Sequence, residues 1–293
     1  MIPTVGFILL THAKPHQIIR LVTRLNQMFD HPPIVCHHDF SKCALPLISF
    51  PENVSFVQPH LQTGWALFSV VEATVRALEQ MYEAPSNPDW FVLLSGADYP
   101  VKSSAQILHD LNASSYDAHI EHELIKANAF ETDWQRECFD RYCTKSFSFP
   151  SITKRLRPTR RVLCLKHPLL TRAFLPFSKN LRCFAGSQWF CANRRSAKHI
   201  IEFHKTKPDL ATHYRKLMFT EESYFQTILA NAPNFRLNNN YWRYIDWYAE
   251  GPKPKTLLLE DLPKILSSSA HFARKFDIDT DVRILNELDA IVG

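Results

Sequence analysis

Only six glycines occur in the 293 residues: Gly6, Gly64, Gly96, Gly186, Gly251 and Gly293. They write neither a GxGxxG fingerprint nor a Walker loop. A phosphorylated ligand must then be held by side chains, not by a cradle of backbone amides. Long apolar runs are missing too. Val5–Leu10 is a strand's worth of apolar residues, and no signal peptide or transmembrane span is visible. The seven cysteines include no CxxC pair, and neither Cys36/Cys43 nor Cys138/Cys143 has zinc spacing. They read as reduced thiols of a cytoplasm, in which the sequons Asn53-Val-Ser55 and Asn112-Ala-Ser114 carry no meaning. No DxD stands at an internal strand end. Asp277, Asp279 and Asp281 alternate beyond the last core strand and read as surface. The net charge of +5 fits an anionic small ligand or a membrane-surface acceptor and does not demand nucleic acid.

What is present is an ordinary globular composition, 45% apolar and 22% charged, in a chain long enough for one large α/β domain or two small ones. The most informative stretch is Asp89–Ser103, DWFVLLSGADYPVKS. Trp90–Leu94 is an unbroken apolar run, which predicts a central strand covered on both faces. It stops abruptly at Ser95-Gly-Ala-Asp98, and small polar residues at the carboxyl end of such a strand are where open α/β sheets bind ligands. Upstream, Val5–Leu10 predicts a first strand. Ile18, Leu21, Val22, Leu25 and Met28 form a helical stripe. Ile34–Cys36 and Val54–Val57 predict short strands, and Trp65–Tyr82 a helix. The alternation is that of a nucleotide-binding α/β half with a mostly parallel sheet.

Downstream the signal thins. Tyr116–Ile125 reads as a strand, and residues 126–180 as an irregular basic insertion rather than a domain. It contains Arg136, Arg141 and the run Lys154–Arg161. Regular structure resumes with a strand at Ser187–Ala192, a helix capped by Ser196, and a helix from Thr220 to Ala230. Strands follow at Phe235–Leu237 and Tyr241–Trp247, then a helix, a strand at His271–Phe276 and a last helix from Asp281.

Four constellations could carry chemistry. Thr11, His12 and Asp39 follow early strands directly, where a nucleoside would sit; the plain alternative is that Asp39 caps a turn. Glu221 and Glu222 open a helix, where acids commonly just complement the dipole but one could serve as a general base. Lys253, Lys255, Arg274 and Lys275 could neutralise a diphosphate, or be solvated surface cations. His119, Glu121 and Glu123 would share a strand face, a weak metal pattern that is not HExxH.

Taken together the segments resemble the core-2/I-branching glycosyltransferase family, the branching β-1,6-N-acetylglucosaminyltransferases and peptide O-xylosyltransferases. The pieces are Thr11-His12; His37-His38-Asp39; Gly64-Trp65 before Ser69-Val-Val-Glu72; FVLLSGADYPVKS; Gly186-Ser-Gln-Trp-Phe190; Thr220-Glu-Glu-Ser-Tyr-Phe225; Trp242-Arg-Tyr244; and Phe272-Ala-Arg-Lys-Phe-Asp277. The resemblance implies one α/β domain of GT-A type over residues 1–293 and metal-free, inverting transfer from a UDP-sugar. N-acetylglucosamine is expected first and xylose second. By position it implies Glu222 as the base, held ionised by a helix N-terminus, with Glu221 where the family commonly has Asp. It implies Asp39 at the uridine site with Thr11, His12, Ser95 and Asp98, and Lys255, Arg274 and Lys275 on the diphosphate. Trp242 and Tyr244 would pack the acceptor sugar, with Trp189 and Arg136 beside them. The expectation is a bacterial-type, cytoplasmic member, peripheral at the inner membrane face through Lys154–Arg172, with a glycan or glycolipid acceptor and no nucleic acid. The competing expectation is a basic membrane-surface or nucleic-acid binding protein without catalysis.

Overall fold

The first hundred residues fold as their apolar pattern predicts. The computed structural model describes residues 2–84, 87–127, 130–150, 160–171, 173–247 and 253–293. Strand β1 (Val5–Thr11) leads into helix α1 (Pro15–Phe29), with Pro15 in its first turn, where the missing N–H costs nothing. The stripe Ile18, Leu21, Val22, Leu25 and Met28 is buried. Strands β2 (Ile34–His38) and β3 (Val54–Phe56) follow, then helix α2 (Phe68–Glu83) and β4 (Trp90–Ser95). Helix α2 starts three residues later than its apolar pattern suggests. Ala66 has a left-handed backbone (φ 62°), which cannot continue a helical turn, and Trp65 stays exposed.

A short strand β5 (Asp98–Pro100) and helix α3 (Ser104–Ala113) come next; the Ser103 hydroxyl accepts from the Gln106 amide as its cap. The expected strand at 116–125 is two shorter ones, β6 (Ala118–Ile120) and β7 (Glu123–Leu124). The segment 126–180 is not irregular where it is described. It holds helix α4 (Asp133–Tyr142), the antiparallel pair β8 (Lys145–Pro150) and β9 (Arg160–Leu165), and one turn of helix, α5 (Pro168–Thr171). Of the basic stretch expected to touch a membrane, residues 154–159 and 172 lie outside the described residues.

The remaining elements are β10 (Phe184–Ala185), β11 (Phe190–Asn193), α6 (Arg194–Thr206), α7 (Pro208–Tyr214), a 3-10 turn at Thr220–Glu222, α8 (Tyr224–Ala230), β12 (Leu237–Asn238), β13 (Arg243–Ile245), α9 (Leu262–Ser267), β14 (Phe272–Arg274) and α10 (Val282–Val292). The cap of α6 is Asn193, which accepts from the Ser196 amide, not Ser196 itself. The expected helix from Thr220 is broken at Ser223, so its first turn is a separate 3-10 segment.

The main sheet has seven strands in the order β12-β6-β11-β4-β1-β2-β3. Four of its six neighbouring pairs are parallel; β11 runs antiparallel to both its neighbours. Alternate residues feed two cores. Ile8, Phe91 and Leu93 meet α2, α6 and α8 on one face, and Phe7, Leu9, Val92 and Leu94 meet α1, α3 and α10 on the other. A second sheet, β13-β14-β5, sets Arg274 directly opposite Asp98. It therefore joins the last third of the chain to the carboxyl end of β4.

Candidate functional site

A cavity of about 980 Å³ opens beyond the carboxyl ends of β1, β2 and β4, the position where open α/β sheets place ligands. From the parallel half, Thr11, His12, Lys42, Thr63, Trp65 and Ser95 line it. From the later half come Glu121, Arg141, Trp189, Glu221, Glu222, Tyr241, Trp247, Lys253, Arg274 and Lys275. Seven of the thirteen residues expected at a site thus meet in one cavity: Thr11, His12, Ser95, Trp189, Glu222, Arg274 and Lys275.

Two of the expected acids serve its walls instead of lining it. Asp39 is fully buried, and both its oxygens are occupied: one accepts from the Ser41 amide and hydroxyl, the other from the Thr63 amide at 2.7 Å and hydroxyl at 2.9 Å. These bonds hold its carboxyl well below the usual range despite burial. Asp39 shapes the loop that presents Thr63 and Lys42. Asp98 is likewise fully buried, 2.6 Å from Arg243 Nη1, and it takes the Ser95 amide and hydroxyl. Arg243 also donates to the Leu93 carbonyl. Asp98 is a clamp between β4, β5 and β13.

Four other expected residues lie elsewhere. Trp242 packs flat between His119 (ring centroids 3.6 Å apart) and His271 (4.2 Å), so neither of its faces is open to a sugar. It borders a separate cavity of about 580 Å³ with Lys102, Asp110, Tyr116 and His119. Tyr244 packs on the second core. Lys255 is spent on Asp261 at 2.6 Å; Lys253, two residues earlier, lines the main cavity. Arg136 points to solvent beside Asp133, and Arg141, further along the same helix, lines the cavity in its place. The aromatic residues that could stack on a sugar at the mouth are Trp65 and Trp247, 69% and 55% exposed. The metal pattern dissolves too. His119 turns to the smaller cavity while Glu121 lines the larger. Among the described residues no three His, Cys, Asp or Glu gather as a metal site.

The acids at the cavity are held by close backbone contacts. A Cβ on Gly186 would stand 2.1 Å from the Glu121 carbonyl oxygen, so only glycine fits there. Its amide donates to the Glu222 carbonyl at 2.8 Å, and the Ser187 amide donates to the Glu121 carboxylate at 2.7 Å. This accounts physically for the Gly186-Ser187 pair. Glu222 ends a single 3-10 turn and so lacks the helix N-terminus expected to keep its pKa low. Burial lifts its carboxyl to about 6; Arg141 opposes the shift and Glu121 adds to it. Glu221 is more deeply buried and rises to about 7, mainly through desolvation, and its Oε2 has no hydrogen-bond partner among the described residues. No described donor bonds the Glu222 carboxylate, and Arg141 Nη1 stands 3.5 Å away. On the cationic side, Arg274 lies over the Trp189 ring at 4.3 Å, and its nearest carboxylate, Asp98 at 3.8 Å, already belongs to Arg243. The arrangement suits an anionic ligand beside an unencumbered carboxylate base.

The family model for the Core-2/I-Branching enzyme matches residues 5–267. Beta-glucuronosyltransferase GlcAT14A of Arabidopsis thaliana is 27% identical over 221 residues, 71% of this chain and 44% of that protein. Beta-glucuronosyltransferase GlcAT14B of the same plant is 27% identical over 236 residues, 76% of this chain and 48% of that protein. Xylosyltransferase 1 of Mus musculus is 22% identical over 278 residues, 83% of this chain and 25% of that protein. The chain spans less than half the length of these relatives. A family match that runs from β1 to the end of α9, and so takes in all of the cavity lining but Arg274 and Lys275, means that this chain belongs to the Core-2/I-Branching enzyme family.

Proposed function

We propose that the chain is an inverting glycosyltransferase of GT-A type that moves a sugar from a UDP-sugar to an acceptor hydroxyl, with Glu222 as the base. The observation that carries this reading is the Glu222 carboxylate itself. It carries no hydrogen bond from any described residue, and it lines one cavity with Arg274, Lys275, Lys253 and Lys42. In the reaction the acceptor oxygen bonds to the anomeric carbon as the bond to UDP breaks. The acceptor's proton passes to Glu222, and the cations meet the charge gathering on the diphosphate. Lysines and an arginine in that role make the reaction independent of a divalent metal, which EDTA treatment tests. A carboxyl near pKa 6 is a stronger base than a free glutamate yet is mostly ionised at neutral pH. Relatives named for glucuronic acid and xylose make those UDP-sugars the first to assay, ahead of UDP-N-acetylglucosamine.

The test is Glu222→Gln, which keeps shape and removes the base. Turnover, followed as UDP release with acceptor present, should fall roughly two to four orders of magnitude, with UDP affinity by calorimetry unchanged. Near-normal turnover in Glu222→Gln would remove Glu222 from the mechanism. If Glu221→Gln alone were inactive, the base would be its neighbour.

A further inference from the structure

Arg141 sits on α4, in the segment where the sequence shows least order, yet among the described residues it is the one permanent cation that acts on Glu222. The described groups that act on Glu222 are Arg141, Cys138 and Tyr142 from α4, Glu121 from the β6–β7 link, and Glu221 on the same turn. Burial pushes the Cys138 thiol up to about 12 and the Tyr142 hydroxyl higher still, so both are neutral. Glu121 and Glu221 can only disfavour a second negative charge.

The guanidinium is not a loose surface cation. It lies over the Phe219 ring at 4.3 Å and beside the Tyr142 ring at 5.6 Å, and it donates to the Tyr142 hydroxyl at 3.4 Å. That hydroxyl donates in turn to the Phe219 carbonyl at 2.5 Å. Phe219 adopts a left-handed backbone (φ 56°) immediately before the turn that carries Glu222, a conformation a bulky residue keeps only when its surroundings fix it. Arg141, Tyr142, Phe219 and Glu222 therefore form a closed ring of contacts. At 3.5 Å the Arg141–Glu222 contact supplies charge without a well-formed hydrogen bond.

We infer that Arg141 is a positioning residue for Glu222: held over the Phe219 ring, it keeps the carboxylate ionised while leaving its lone pairs free for the acceptor's proton. The inference rests on reading Glu222 as the base. Lysine would keep the charge but not the guanidinium's joint contacts with the Phe219 ring and the Tyr142 hydroxyl, so it should substitute only in part.

The test needs no substrate. In protein labelled with ¹³C at glutamate side-chain carboxyls, the Glu222 signal is assigned by its loss in Glu222→Gln and titrated in wild type, Arg141→Gln and Arg141→Lys. The wild-type midpoint should fall near 6. It should rise by roughly one to two units in Arg141→Gln and by less in Arg141→Lys. The acid limb of kcat/KM should move with it, and Arg141→Gln should regain activity as pH rises past the new midpoint. An unmoved midpoint in a variant that melts like wild type overturns the inference. So does a rate loss equal at every pH, which marks an acceptor-binding or purely structural role. A shifted midpoint together with an active Glu222→Gln would leave the ion pair standing but overturn the base, and with it the positioning role. An unmoved midpoint with an inactive Glu222→Gln would overturn only Arg141.

Discussion

The two walls of the cavity are built by different means. The parallel half places Thr11, His12, Lys42 and Ser95 at the ends of strands whose side chains fill two continuous cores; β1 has seven residues and β4 six. The later half places Glu121, Trp189, Glu222 and Trp247 on strands of two to four residues, a 3-10 turn and the links between them. Apolar area fixes the strands of the first wall, and Asp39 and Asp98 tie only the loops that follow them. The second is fixed by polar ties: Gly186 to Glu222, Ser187 to Glu121, Gln226 to the Ser187 carbonyl at 2.6 Å, and Tyr142 to Phe219. Such ties are directional, so they hold an acid in a set orientation, but each one lost leaves a partner unsatisfied.

The sharpest way to break the division is at its seam. Arg243→Met leaves the buried Asp98 without its bonded counterion, with only Arg274 at 3.8 Å to offset its charge, and it should cost up to about 3–5 kcal/mol in denaturant unfolding. A wild-type midpoint would show that the seam does not bind them. The next contrast separates the roles of the walls. Lys275→Ala should weaken UDP binding roughly ten- to a hundredfold by calorimetry, the scale of a charged hydrogen bond. Trp247→Ala should leave UDP binding alone and raise the acceptor KM. The reverse pattern would exchange their assignments.

Glu221 measures how much strain the polar wall carries. Its carboxyl ionises near 7 in the folded protein against an ordinary 4.5. Its favourable contribution is therefore complete below 4.5 and is lost as pH rises through 7. Glu221→Gln should be more stable than wild type above pH 7, by on the order of 1–3 kcal/mol, and the difference should close below about pH 4.5. Equal melting curves at alkaline pH would mean that Glu221 is hydrated. The smallest effect is local. The Thr132 side chain accepts from the Gln135 amide to cap α4, so Thr132→Ala should cost about 1 kcal/mol. It should also lower hydrogen-exchange protection in α4 more than in α1.

The same division decides what could be read from sequence. Helix α1 buries a stripe with the helical period, and β1, β2 and β4 are apolar runs buried on both faces, so type and order were legible and the register of the helix face followed. Trp242 was not legible. Trp242 stands just before β13 with a left-handed backbone (φ 52°), so strand alternation does not say where it points, and His119 and His271, which enclose it, are distant in sequence. Lys255 and Lys253 are indistinguishable until Asp261 claims one of them. Arg141 lay on a helix with only Cys138, Phe139 and Tyr142 buried, too few to stand out as a stripe. The Glu222 position was legible, but its electrostatics were not, because the break at Ser223 replaces a helix N-terminus by one turn in a desolvated wall.

The clamp on Asp98 also sets a timetable for synthesis. Its partner Arg243 follows 145 residues later, and the cavity lining runs from Leu10 to Lys275. A nascent chain can collapse the β1–β4 unit early from nearby contacts, whereas closing so long a loop carries an entropic cost and is slow. Until Arg243 and β14 leave the ribosome, β5 presents an unpaired edge and Asp98 has no counterion. That edge is the stretch a holding chaperone would need to cover, and the ligand site cannot form before Lys275 has emerged.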